Sequence, residues 1–116
     1  MVFDEGSPGM EPIPLSVSTT VTTPGDVTVV LAGEIDVTTQ GELAAALAEA
    51  LEQTHGALTV DMASVTFCDS SGLRQLVQLT GLCQEEKVDL RIQPSHIVRR
   101  VIKLTGLDMV LPLIDA

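Results

Sequence analysis

The sequence predicts an α/β fold: a single domain with one mixed, mostly parallel β-sheet, an N-terminal antiparallel hairpin and three helices, in the order ββαβαβαβ. Three observations carry this expectation. Segments rich in Val and Thr that alternate apolar and polar residues are separated, after the first pair, by stretches with apolar residues at helical spacing. The first two strand-like segments are joined only by Pro24-Gly25-Asp26, a short turn that makes them a hairpin. The later strands alternate with helices, and strand–helix–strand units pair in parallel through right-handed crossovers.

Residues 1–14 hold three prolines and two glycines without periodicity, and read as a flexible tail before a domain over 15–116. Leu15 to Thr22 alternates as a half-buried strand should, and Val27 to Ala32 is more continuously apolar and so more central. Thr39-Gln40-Gly41-Glu42 fits a capping box, with the Thr39 hydroxyl on the third helical amide and Glu42 reaching back. Leu43, Leu47 and Leu51 then form a helical stripe that Gly56 closes. Ala57 to Met62 is a third strand. A second helix starts near Ser70-Ser71-Gly72, with Leu73, Leu76, Val77, Thr80 and Cys83 on its inner face. Val88 to Ile92 alternates strictly as a fourth strand. Pro94-Ser95 opens a third helix with Ile97, Val101 and Leu104 on one stripe, Arg99, Arg100 and Lys103 toward its C-terminal half, and Gly106 at its end. Met109 to Ile114 suggests a short last strand that Pro112 confines to an edge or breaks.

The charge pattern excludes some functions. The net charge is −10, with eleven acids and no base before Arg74, whereas five acids and six bases follow. Nucleic-acid affinity rests on a basic footprint and often on stacked aromatic rings, and this chain offers only Phe3 and Phe67. An acidic half suits a protein partner with a basic face, or serves solubility alone. Cys68 and Cys83 are in no metal-ligand or Cys-x-x-Cys spacing and read as reduced, apolar thiols. The acidic N-terminus lacks a signal-peptide pattern, and no apolar run approaches the roughly 18 residues of a spanning helix. The expectation is a cytoplasmic protein without membrane insertion, cofactor or metal.

The segment Val65-Thr66-Phe67-Cys68-Asp69-Ser70-Ser71-Gly72-Leu73 runs from the end of a strand through a short loop to the start of a helix. In open α/β sheets, ligands and partners meet the protein at such carboxyl ends of strands. Asp69, Ser70 and Ser71 are natural helix caps and need be nothing more. A nucleophile elbow fails, because glycines do not flank either serine two residues away on both sides. A triad would need His55, at the end of the first helix, or His96, in the first turn of the third, and both read as surface residues. One glycine without a lysine makes no phosphate-binding loop. Nothing in the sequence supports catalysis.

Asp69-Ser70-Ser71-Gly72-Leu73, with its apolar lead-in, resembles the signature of the STAS domain, the fold of anti-sigma factor antagonists. Gly33-Glu34-Ile35-Asp36 resembles that family's G-E-[LI]-D element, and Leu104-Thr105-Gly106-Leu107 its turn before the last strand. The matches span about residues 14–115 in the family's order. Cys68 departs from the Met or aliphatic residue common before the Asp, and the N-terminal tail is not part of the usual pattern.

The resemblance implies a phosphorylation switch. Ser70 occupies the acceptor position, and Ser71 that of a cap or auxiliary hydroxyl. Glu34 and Asp36, with Asp69, Ser70, Ser71, Gly72 and Leu73, match the surface that meets the partner. The implied partners are an anti-sigma factor with serine kinase activity and a phosphoserine phosphatase. Unphosphorylated, such a protein binds the anti-sigma factor and frees the sigma factor. A STAS interaction subunit of a stressosome-like or transporter-associated assembly, without a switch, is the alternative.

Overall fold

β-Branched residues at alternate positions and helical stripes of Leu and Ala give the expected elements in the expected order. The computed structural model describes residues 14–115. The elements are β1 (Ser16–Thr23), β2 (Asp26–Ile35), α1 (Gln40–Gln53), β3 (Ala57–Cys68), α2 (Ser70–Glu86), β4 (Asp89–Pro94) and α3 (His96–Thr105), followed by a 3-10 turn at Leu107–Met109. The tail expected over residues 1–14 lies outside the described residues except for Pro14.

The sheet order is β1-β2-β3-β4, with β1 antiparallel to β2 and the other pairs parallel. A last strand survives as one parallel bridge between Ile92 and Leu113, held by the Ile92 amide on the Pro112 carbonyl and the Ile114 amide on the Ile92 carbonyl. Pro112 has no amide to extend a ladder, so pairing stops there.

Only one face of the sheet is covered. Val27 and Val29 of β2 lie in register with Leu58 and Val60 of β3, Leu90 and Ile92 of β4 continue the layer, and Leu31 is buried where the β2–β3 register shifts. Leu43 and Leu47 of α1, Leu73, Leu76, Leu79 and Cys83 of α2, and Val98 and Ile102 of α3 close it from above. The opposite face is more polar: Thr20, Thr28 and Thr59 run across it, and Ser16 and Ser18 sit beside Ala32 and the exposed Val30.

Several local expectations change. β1 is exposed along its whole length, because it lies at the sheet margin beyond the cover of the helices; only Leu15, just before it, is buried. The buried side of α3 carries Val98 and Ile102, with Val101 packed against the core, while Ile97 and Leu104 point outward at 51% and 81% exposure. Helix α1 ends at Gln53, before Gly56, and the buried Thr54 hydroxyl donates to the Ala50 carbonyl at 2.7 Å. Arg99 ties the C-terminal segment to α3, donating to the Ile114 carbonyl and pairing with Asp115, both at 2.9 Å.

The end of the sheet where β2 and β3 begin is held by Asp26. Its carboxylate accepts from the Ala57 amide and from the Thr23 hydroxyl, each at 2.8 Å. The neighbouring Gly25 carbonyl accepts from the His55 and Gly56 amides. A Cβ on Gly56 would push against the Asp26 carboxylate and disturb its bond to the Ala57 amide. The Ala57 amide, then the Thr23 hydroxyl, hold the Asp26 carboxyl below its ordinary 3.8. A lowered folded-state value adds stability above the unfolded value and forfeits it as pH falls through the folded one. The urea midpoint advantage of wild type over Asp26→Asn should therefore be full near about pH 6 and shrink below the ordinary value, as pH-dependent unfolding curves would measure.

Candidate functional site

β3 ends at Cys68 and α2 begins at Ser70, so Asp69 alone joins strand to helix, and the short loop expected there is absent. Asp69 is the N-cap, in extended conformation. Its Oδ1 accepts from the Ser71 amide at 3.0 Å, the Gly72 amide at 3.4 Å and the Ser71 hydroxyl at 2.6 Å. A carboxylate there meets the positive end of the helix dipole and satisfies amides that the helix leaves unpaired. The cap is thus the acid, not either serine. Ser71 spends its hydroxyl on that cap, whereas Ser70, at the first helical position, is exposed and outside these bonds.

Gly72 and Leu73 are buried. A Cβ on Gly72 would stand 2.6 Å from both Cys68 Sγ and Ile35 Cγ2. Its glycine character serves close seating of α2 on the strand ends rather than a tight turn or open backbone access. Both residues form the floor beneath Asp69 and Ser70.

The Gly33–Asp36 element lies beside this floor. The Asp69 amide donates to the Ile35 carbonyl at 3.1 Å, and the Thr66 hydroxyl to the Gly33 carbonyl at 3.4 Å. Gly33, with φ of +100°, sits where the β2–β3 register shifts, a backbone conformation that disfavours side chains. Asp36 accepts from the Thr38 hydroxyl at 2.6 Å and the Thr38 amide at 2.9 Å. The Thr38 hydroxyl foremost holds the Asp36 carboxyl below its ordinary value, against a smaller opposing effect of burial. Thr39 forms no capping box: its hydroxyl donates back to the Glu34 carbonyl at 3.2 Å and accepts from the Asp36 amide at 3.0 Å. Asp36 and Thr39 therefore lock the turn that leaves β2.

Two exposed apolar residues flank this end, Phe67 at 47% and Val37 at 65%. Phe67 lies in register with the half-buried Glu34. Phe67 is the lone aromatic of residues 14–115 and stands one residue before the strand's last buried position, which is the signal the sequence offers for it. Leu104-Thr105-Gly106-Leu107 is elsewhere: Gly106, at φ of +78°, is the left-handed cap of α3.

The remaining chemistry is quiet. Burial, and secondarily the Asp69 charge, push the Cys68 thiol up to about 12, and burial raises Cys83. Both cysteines are free. His55 lies at the far end of the sheet, its amide on Gly25. Among the described residues no group of three His, Cys, Asp or Glu is arranged to hold a metal, and no helix is long and apolar enough to cross a membrane.

Residues 18–114 match a family model described as Mlab, STAS domain. No curated protein matches the sequence. Among solved structures, an anti-sigma factor antagonist from Mycobacterium paratuberculosis is 28% identical with a TM-score of 0.73, over 86% of this chain and 85% of that one. The phosphorylated form of the Bacillus cell fate determinant SpoIIAA is 20% identical with a TM-score of 0.68, over 87% and 91%. The murine anion transporter Slc26a9 is 15% identical with a TM-score of 0.69, over 90% of this chain but 21% of the transporter. The latter two likenesses show a shared fold alone.

Two measurements check the packing. Gly72→Ala should lower stability by about 1–3 kcal/mol through overpacking, more than the roughly 1 kcal/mol that Ala contributes to a helix. Gly81→Ala in the same helix, where a Cβ meets nothing within 4 Å, should instead raise stability by up to about 1 kcal/mol. Urea titrations of the two variants should move in opposite directions. In the native protein both thiols should resist a colorimetric thiol reagent near neutral pH and react on unfolding; fast native reaction would contradict their burial.

Proposed function

The chain belongs to the STAS domain family, and from that premise we propose that it is an anti-sigma factor antagonist switched by phosphorylation of Ser70. In its unphosphorylated form it binds, in the cytoplasm, an anti-sigma factor that is also a serine kinase, and the sigma factor is released. The kinase transfers the γ-phosphoryl group of ATP to Ser70 Oγ, which loses its proton as ADP leaves. A phosphoserine phosphatase restores the hydroxyl. The domain itself carries out no catalysis.

The observation that carries this reading is the exposed hydroxyl of Ser70, unbonded among the described residues, directly after the capping Asp69. The 28% identical relative, described as an anti-sigma factor antagonist over most of both chains, supports the same role. That the Bacillus protein of this fold is described in a phosphorylated form supports the switch. In this reading Phe67 and Val37 are the apolar anchors of the partner surface and Glu34 its acidic rim, while Asp69 supports Ser70 through the helix cap. Asp36 acts by holding the turn, and Gly72 and Leu73 by supporting the surface from beneath. Phosphorylation adds roughly −1.5 to −2 charges in the middle of that surface.

A second reading keeps the surface but drops the switch: a STAS subunit of a stressosome-like or transporter-associated assembly. The occurrence of this fold within the murine anion transporter favours it.

Binding to the cognate anti-sigma factor separates the two. Ser70→Ala should fold as wild type, since Asp69 supplies the cap, bind as wild type, and resist phosphorylation by that partner. Ser70→Asp should fold equally well and bind more weakly. Phe67→Ala should cost about 1–2 kcal/mol, a 5- to 30-fold loss of affinity, as a central aromatic anchor does. Calorimetric titration reads all three. Equal affinity of the Ala and Asp variants, with no phosphate on Ser70 when kinase and ATP are supplied, would favour the second reading.

A further inference from the structure

We propose that β1 is a self-pairing edge through which two copies of this chain form a two-fold dimer with one continuous eight-stranded sheet. β1 is the terminal strand of the sheet, and among the described residues its outer backbone groups have no partner. An exposed strand edge is a template for another strand, and proteins ordinarily blunt it with charge, proline, a bulge or brevity. Within Ser16–Thr23 there is no charge and no proline, and every one of its eight residues is exposed. Its one irregularity lies at the far end, between Val21 and Thr23.

The order of residues identifies the occupant. Read from either end, Ser16-Val17-Ser18-Thr19-Thr20-Val21-Thr22 is the same pattern of hydroxyl and Val positions about Thr19. Antiparallel pairing of the strand with its own copy, centred on Thr19, sets Val17 against Val21 on both sides of the axis. Ser18 then faces Thr20, and Ser16 faces Thr22. Valine pairs and hydroxyl pairs are both favourable across antiparallel strands. An isologous contact requires this self-complementarity.

The two faces also agree. Val17 and Val21 pair within the sheet with Leu31 and Val27, so they lie on the core side, yet stand 37% and 57% exposed. The dimer would extend the apolar layer across the axis and shield them. The chain's own N-terminal residues are a poorer occupant: Pro8, Pro12 and Pro14 cannot donate to a ladder, and Asp4, Glu5 and Glu11 would lie on an uncharged strand. The dimer leaves Ser70 free, because antiparallel strands send the two carboxyl ends of β2 and β3 to opposite ends of the joint sheet.

Sedimentation of the full chain tests this. Wild type should show a concentration-dependent mass of twice one chain, favoured by added salt, which screens the −10 charge of each copy. Thr19 faces its own copy on the axis, so Thr19→Lys and Thr19→Glu should each be monomeric, with unchanged circular dichroism. An equimolar mixture of the two should regain the doubled mass. A wild type that stays monomeric at every concentration and salt overturns the proposal, as does a dimer indifferent to Thr19→Lys or a mixture that does not reassociate.

Discussion

The first turn of α2 lies so close to the ends of β2 and β3 that only a residue without a side chain fits at position 72. Cys68 Sγ and Ile35 Cγ2 occupy the space that any Cβ there would need. This approach brings the Asp69 amide onto the Ile35 carbonyl and so joins two sequence elements more than thirty residues apart. Gly33 to Asp36 and Asp69 to Leu73 become one surface because of that contact. The chemistry of each follows: Asp69 caps the helix, Ser71 braces the cap, and Ser70 is left pointing away.

Much of this was legible in the sequence, and what was not has a common cause. Period-two and helical patterns report which residues alternate, so the order of elements along the chain, the hairpin and the inner faces of α1 and α2 follow from them. They do not report what covers an element. β1 alternates as a buried strand does, yet it lies at the sheet margin and every residue of it stays exposed. Ile97 and Leu104 sit at helical spacing, as do Val98 and Ile102, and only docking on the sheet decides between the two stripes. Side-chain hydrogen bonding is equally underdetermined. Thr39 has the residue type of a cap, yet its hydroxyl finds a nearer acceptor in the Glu34 carbonyl. Asp69, Ser70 and Ser71 all have the residue type of a cap, and the absence of a loop leaves Asp69 alone between strand and helix to serve as one.

The two ends of the sheet divide the work. At one end, Asp26 binds the hairpin turn to the start of β3, and the partners of its carboxylate are all within the fold. At the other, the carboxylates of Asp36 and Asp69 are also turned inward onto turn and helix amides, which leaves Ser70, Phe67 and Val37 to face outward. The hydrogen bonds that hold this end of the fold therefore rest on residues other than the three that face outward. A substitution at Phe67 or Ser70 removes little that the fold needs, whereas one at Asp69, Gly72 or Gly33 alters the platform on which they stand.

This division bears on how a phosphate would act. An anion at a helix N-terminus is normally welcomed by free amides, but here Asp69 already accepts from the Ser71 and Gly72 amides. A phosphoryl group on Ser70 would find those donors taken and a carboxylate nearby. Two unit charges about 4 Å apart repel by about 1 kcal/mol in water, little against the roughly 5–15 kcal/mol that holds a domain together. The fold would survive, and the phosphate would be pushed outward, toward solvent and any bound protein. Its effect would then fall on a contact rather than on the domain, and a bound protein would sense it only by touching the start of α2 at Ser70.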